Sequence, residues 1–172
     1  MMKKSDFKIK IALLSLIMAL AIFLVGFTLY NKLSIVEPII SEISSIEAVK
    51  EVEVNKEKDY LIEVGLLKVN NFAQVYSDIK DILDSKLNGK AYELVIKDKP
   101  NLLLNESYTS LQPALYQALA NHEYVWLNEK LAEIAEVKGI SYAFFLDDNY
   151  LFIQLIDEEN YIYKAIKHNK DL

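Results

Sequence analysis

The chain has 172 residues, a net charge of −6 and no cysteine, which leaves room for one ordinary domain plus a further segment. The missing cysteine excludes disulfides, thiolate metal sites, cysteine nucleophiles and a lipid-modified cysteine anchor. All 19 basic residues are lysines, so no guanidinium fork is available to grip a phosphate, and an acidic chain of this kind argues against a nucleic-acid partner.

The charge is unevenly spread. Residues 1–10 carry Lys3, Lys4, Lys8 and Lys10 against Asp6, a balance of +3, and the remaining 162 residues therefore carry −9. The richness in Asn, Ile, Lys and Tyr suggests the AT-rich codon usage of a low-GC bacterium.

From Ile11 to Tyr30 there is no charged residue, and twelve of these twenty positions are Ile, Leu, Val or Phe. Twenty helical residues span about 30 Å, the thickness of a bilayer's hydrocarbon core. Each large aliphatic or aromatic residue contributes roughly 0.3–0.6 kcal/mol to insertion near the helix centre, so the sum favours the membrane by several kcal/mol. Phe27 and Tyr30 fall where an interfacial aromatic belt would begin. The lysines ahead of the helix predict a cytoplasmic N-terminus (residues 1–10) and an extracytoplasmic C-terminal part. Ten residues are too few for a signalling output of their own. A cleaved signal peptide is the competing reading, because Ala19-Leu20-Ala21 has a small-x-small pattern. It is followed by Ile22-Phe23-Leu24-Val25, where a cleavage region should turn polar, so an uncleaved signal-anchor is expected.

Residues 31–58 read as a juxtamembrane helix or stalk. Ser34-Ile35-Val36-Glu37 has capping-box spacing, with Pro38 in the first turn. Val36, Ile39, Ile40, Ile43, Ile46 and Val49 then recur at three- and four-residue steps, which predicts an amphipathic helix continuing from the apolar stretch to about Glu51. Its apolar stripe either packs on its own domain or pairs with a second copy as a short dimerising stalk.

Residues 59–168 read as an extracytoplasmic α/β domain, with 169–172 as a tail. Tyr60–Val69 is rich in β-formers. Asn70 or Asn71 then caps a helix with its stripe at Phe72, Val75, Tyr76, Ile79, Ile82, Leu83 and Leu87, and Asn88-Gly89 supplies a left-handed stop. Ala91–Lys97 is a second strand, closed by Asp98-Lys99-Pro100. A helical pair follows, the first helix marked by Tyr108, Leu111, Leu115 and Leu119 with Pro113 near its start. A break is expected at Asn121-His122, and the second helix is marked by Leu127, Leu131, Ile134 and Ala135 and ended by Gly139. Three strands close the chain: Ile140–Asp147, Tyr150–Ile156 and Tyr161–Ile166, joined by a two-residue turn at Asp148-Asn149 and a longer one at Asp157–Asn160. The fold class is α+β, with order β-α-β-α-α-β-β-β. A mixed, largely antiparallel five-stranded sheet with helices packed on one face is the economical arrangement.

Chemistry is sparse in this pattern. His122 lies at the expected helix break and His168 in the expected tail, and neither has the spacing of a zinc pair. Of four glycines, Gly89 and Gly139 serve as helix stops, Gly26 lies in the apolar run and Gly65 in a strand. None remains for a phosphate-cradling loop, and no cofactor is expected. Asp147-Asp148-Asn149 and Asp157-Glu158-Glu159 offer oxygens for Ca²⁺ but fall where hairpin turns are expected. No serine has a histidine partner or a nucleophile elbow. The eleven tyrosines are more suggestive. Tyr150, Tyr161 and Tyr163 sit on adjacent hairpin strands, where they either edge the core or present a partner-binding face.

These features predict a non-enzymatic, membrane-anchored envelope protein working through protein–protein contacts. The alternatives are a ligand-binding or sensory module, with a pocket between sheet and helical pair near Trp126, and a carboxylate-using hydrolase. The layout resembles that of small single-pass components of bacterial secretion, pilus-assembly and division machines, a likeness of arrangement that implies an assembly role.

Overall fold

The computed structural model of the chain describes residues 4–56 and 58–168, with side chains described from Ile11 onward. The expected side-chain role of the N-terminal lysines and the tail 169–172 lie outside the described residues.

The first helix, α1, runs over Lys4–Asn31 and contains the uncharged stretch. Among the described residues one helix is long and apolar enough to cross a membrane, and its most apolar window is wholly unburied. The chain stays helical through Ser34, as the continuing helix expected there requires. A wide π turn over Lys32–Val36 leads without interruption into α2, Glu37–Ser44, and the Glu37 N–H donates to the Lys32 carbonyl five residues back. Pro38 explains the widening. Its ring cannot tolerate the Ser34 carbonyl in the ordinary i−4 position and it has no N–H to offer, so an extra residue in the preceding turn relieves the clash. No capping box forms, because no free helix start is left to cap.

The predicted helix to Glu51 is also corrected. Helix α2 ends at Ser44, and β1, Val49–Lys56, follows. Val52 and Val54 alternate with Glu51, Glu53 and Asn55, a period of two that wins over the continuing three–four pattern once the chain can pair with β2, Tyr60–Leu66. The stripe of α2 is spent on its own domain, since Ile39 and Ile43 are fully buried and the Lys86 ammonium pairs with Glu42. A second copy could use those residues only by undocking them.

Helix α3, Phe72–Leu87, begins where Asn71 accepts a hydrogen bond from the Gln74 N–H and ends where Asn88 turns left-handed. It crosses over to β3, Tyr92–Lys97, which lies parallel to β2, giving a sheet ordered β1-β2-β3. Helix α4 spans Leu102–Asn121, starting six residues before its first expected marker because Asn101 caps it through the Leu104 N–H. Pro113 is therefore inside the helix rather than near its start. Helix α5, Tyr124–Lys138, stops at left-handed Gly139. Strands β4 (Ser141–Leu146), β5 (Tyr150–Asp157) and β6 (Asn160–Lys167) form an antiparallel meander. The second hairpin is tighter than expected, with Asp157 paired to Asn160 and Glu158 at φ 52°.

There are thus two three-stranded sheets among the described residues, not one of five. They meet at one antiparallel bridge, where Lys99 and Tyr161 exchange hydrogen bonds of 3.2 and 2.9 Å. The reason lies in Asp98-Lys99-Pro100. The Asp98 carboxylate takes the Tyr163 N–H at 2.8 Å in place of a main-chain carbonyl, and Pro100 has no N–H with which to extend the ladder. Nor do the helices share one face. The faces of β5 and β6 are covered by α4 and α5 on one side (Leu151, Ile153, Leu155, Ile162) and by the α3 layer on the other (Phe152, Tyr161, Tyr163).

The two halves are sutured by buried and half-buried polar contacts. The Gln154 side chain accepts from the Phe72 N–H at 3.2 Å and donates to the Val69 carbonyl at 2.6 Å. The Tyr163 hydroxyl accepts from the Val69 N–H at 2.8 Å, and the Tyr161 hydroxyl donates to the Leu66 carbonyl. Removing the Gln154 amide leaves two main-chain groups unpaired and removing the Tyr163 hydroxyl leaves one, the Val69 N–H, each costing about 1–3 kcal/mol with the less buried group at the low end. Gln154→Leu is therefore expected to destabilise the domain by about 2–4 kcal/mol and Tyr163→Phe by about 1 kcal/mol. Urea unfolding of the full chain in detergent, followed by near-UV circular dichroism, checks the ranking.

Candidate functional site

The three tyrosines expected to offer a partner face do share one side of the β5–β6 hairpin, but that side looks inward. Tyr161 and Tyr163 are buried and Tyr150 is half-buried. Tyr163 stacks on Phe72 at 4.8 Å and on Tyr161 at 4.8 Å, while Tyr150 meets Tyr76 edge-on at 5.3 Å. Period-two patterning put them on one face correctly. Which face met solvent depended on α3, whose docking covers it. Burial pushes the Tyr163 phenol up to about 12, and burial with the Asp84 hydrogen bond raises Tyr92 to about 12 as well. Burial likewise moves Tyr76 far above the ordinary phenol range.

His122 occupies the left-handed position that ends α4, exposed, with Nδ1 3.3 Å from the Tyr124 hydroxyl. His168 is not loose tail. It is buried, its N–H donates to the Asn149 carbonyl at 3.0 Å, and its Nε2 lies 3.0 Å from the Asp147 carbonyl. It clasps the end of β6 to the β4–β5 turn. Asp147 spends a carboxylate oxygen on the N–H groups of Asn149 and Tyr150, at 2.7 and 2.6 Å, as a turn-forming aspartate does. Among the described residues no group of three or more His, Asp or Glu side chains is placed to hold a metal ion. Trp126 packs against the cluster of Leu104, Leu111, Leu115 and Leu131 between helical pair and sheet, where the alternative ligand-binding reading put its pocket.

Of the four edge strands, β3 and β6 approach each other at the Lys99–Tyr161 bridge, while β1 and β4 are the outer edges, and these two differ. Strand β1, Val-Lys-Glu-Val-Glu-Val-Asn-Lys, carries four charges along an outer edge. Charges on an edge resist pairing with another chain. Strand β4, Ser-Tyr-Ala-Phe-Phe-Leu, carries none. Tyr142, Phe145 and Leu146 are 36, 39 and 45 % exposed. Strand alternation sends Tyr142, Phe144 and Leu146 to the helix-covered face, opposite Leu155, Ile153 and Leu151 of β5, and Ser141, Ala143 and Phe145 to the other. An uncharged, aromatic-rich edge of six residues offers main-chain donors and acceptors flanked by apolar side chains, the arrangement that accepts an added strand. Sequence reasoning placed β4 correctly but could not see that it would end the sheet.

A shallow groove of about 480 Å³ opens elsewhere, between the α2–β1 turn (Ile46, Glu47, Ala48) and the β2–α3 connection (Leu67 to Asn71). It has no convergent set of buried polar groups.

Comparisons with protein families, with curated proteins and with solved structures find no match to this chain.

The raised phenols give the domain an alkaline limit. A phenol whose folded value lies above its unfolded value keeps its proton in the folded state while the unfolded chain loses it, so its stabilising effect is present below about 10 and lost as pH rises toward about 12. The urea midpoint is expected to fall between about pH 10 and 12, and Tyr163→Phe should shallow that fall. An unchanged slope in the variant would show that Tyr163 ionises as freely folded as unfolded.

Proposed function

We propose that this chain is a single-pass, membrane-anchored extracytoplasmic protein of the bacterial envelope, non-enzymatic, that works by binding another protein in an assembly or scaffold role. The observation that supports the reading most directly is the open edge of β4, where aromatic side chains flank an unshielded strand. The edge replaces the inward-facing tyrosines as the surface to test. The helix supports the placement by its length and purity, and the lysines before it support an N-terminus in the cytoplasm.

The remaining surface fits a binding module better than the alternatives. A ligand-binding role would rest on the open groove beside Val69, which lacks the enclosed shape and convergent polar groups of a specific small-molecule site. For a hydrolase, two facing carboxylates with separated proton affinities would be required. The clearly shifted carboxylates, Asp84 and Glu159, are both lowered, chiefly by hydrogen bonds to Lys80 and Lys68 respectively, which suits ion pairs rather than an acid catalyst.

The test is site-specific photocrosslinking in intact cells, with a photoreactive residue at Ser141 on β4 or, as control, at Glu53 on β1. A discrete adduct is expected from position 141 and not from 53, and it should be lost when Phe145→Lys is added, which puts a charge on the edge without touching the buried core. Equal adduct patterns at both positions, or an adduct indifferent to Phe145→Lys, would remove β4 as the binding edge. Placement is checked separately, by alkaline extraction of membranes and by protease digestion of a C-terminal tag from the outer side only.

A further inference from the structure

The end of the apolar stretch is fastened to the domain at one place. Asn31, the first polar residue after Tyr30, accepts hydrogen bonds from the Tyr60 hydroxyl at 2.7 Å and the Lys56 ammonium at 3.0 Å. The same ammonium lies 4.9 Å from the Tyr60 ring centroid and 5.8 Å from that of Phe27. Lys90 reaches the Tyr60 ring from the α3–β3 turn, at 6.0 Å. Lys32 and Lys58 are exposed nearby in the chain, and Asp59 and Glu93 are the acids on the adjoining cleft.

Phe27 belongs to the uncharged run, and that fixes a depth. If Ile11–Tyr30 fills the hydrocarbon layer, Phe27 and Tyr30 lie in its outer boundary. An ammonium within 6 Å of the Phe27 ring then sits where acyl chains give way to phosphates. A lysine cannot remain there without an anionic partner or water. Only one of the three donors of Lys56 is assigned to Asn31. A lysine ammonium is a suitable phosphate ligand as a point charge, which needs no guanidinium fork. The domain as a whole is acidic, so an anionic membrane would repel it except at a lysine-bearing rim such as this.

We infer that Lys56 and Lys90, gathered around Tyr60, bind the phosphates of anionic phospholipids in the leaflet beside the anchor, seating the base of β1–β3 on the membrane. The inference rests on the anchor reading above and assigns that anchor a lipid preference. Each lysine close to an anionic surface shifts the docked population by about five-fold, so losing both should cost on the order of 25-fold.

The full chain in lipid nanodiscs provides the test, and the absence of cysteine makes single labels clean. A spin label at Asp59→Cys reports the depth of the β1–β2 turn by its collision rates with oxygen and with a water-soluble nickel chelate. A second label, at Val25→Cys, reports whether the helix is in hydrocarbon. With phosphatidylglycerol in the disc, the Asp59 label is expected at headgroup depth, and it should move into water in neutral phosphatidylcholine or at high salt. Lys56→Gln with Lys90→Glu should release it in phosphatidylglycerol too, with the urea midpoint kept as evidence of folding. Should the Val25 label be buried while the Asp59 label ignores both lipid charge and the substitutions, the lipid site is wrong and the anchor stands. A Val25 label in water would overturn the anchor itself and the inference with it. Inorganic phosphate added to neutral discs should leave the Asp59 label unmoved, and a response there would assign the lysines to a soluble anion instead.

Discussion

Most of the domain depends on how one short connection, Leu67 to Asn71, is held. It carries the chain from β2 into α3, and beyond the Leu67 N–H, which donates to the Ala48 carbonyl, and the Asn71 carbonyl, which accepts from Val75, its main chain relies on side chains for partners. Gln154 and Tyr163 supply partners at Val69, and Tyr161 and Gln154 hold the flanking Leu66 carbonyl and Phe72 N–H, all from β5 and β6. Buried main-chain groups without partners would cost several kcal/mol together, so this contact fixes where α3 can lie. With α3 in place, Phe72 and Tyr76 complete an aromatic cluster with Tyr150, Phe152 and Tyr163. The two small sheets then act as one body although a single bridge joins their ladders.

The same economy governs the link to the apolar helix. A helix that entered the domain through a flexible linker would leave the domain free to tumble. Here the π turn imposed by Pro38 keeps α1 and α2 continuous, α2 is buried through Ile39 and Ile43, and Asn31 is hydrogen-bonded to Tyr60 and Lys56. The apolar segment and the domain are therefore coupled both through the chain and across it. Such a joint suits a protein whose partner must be met at a set distance from a surface.

Edges complete the picture. The charged β1 edge and the uncharged β4 edge lie at the two ends of an architecture whose central strands are covered. One is protected as soluble sheets usually are, and the other is left open, with aromatic side chains that cost little entropy to fix on contact. The asymmetry leaves one outer edge uncharged, and it is this edge that the proposed function uses.

Much of this was legible in the residues. The uncharged run Ile11–Tyr30 determined an apolar helix by composition alone. The stripe from Phe72 to Leu87 determined α3, with its Asn71 cap and Asn88-Gly89 stop, because capping and periodicity are local properties. Alternation likewise placed β4, β5 and β6 and put Tyr150, Tyr161 and Tyr163 on one face. What local rules could not decide was which competing period would win at Val49–Lys56, where only pairing with β2 favours a strand. They also could not decide that Asp98 and Pro100 would interrupt the sheet, that the tyrosine face would be roofed by α3, or that β4 would be left at an edge. Each of these turns on partners distant in sequence, and long-range pairing and burial are settled only when the whole chain packs.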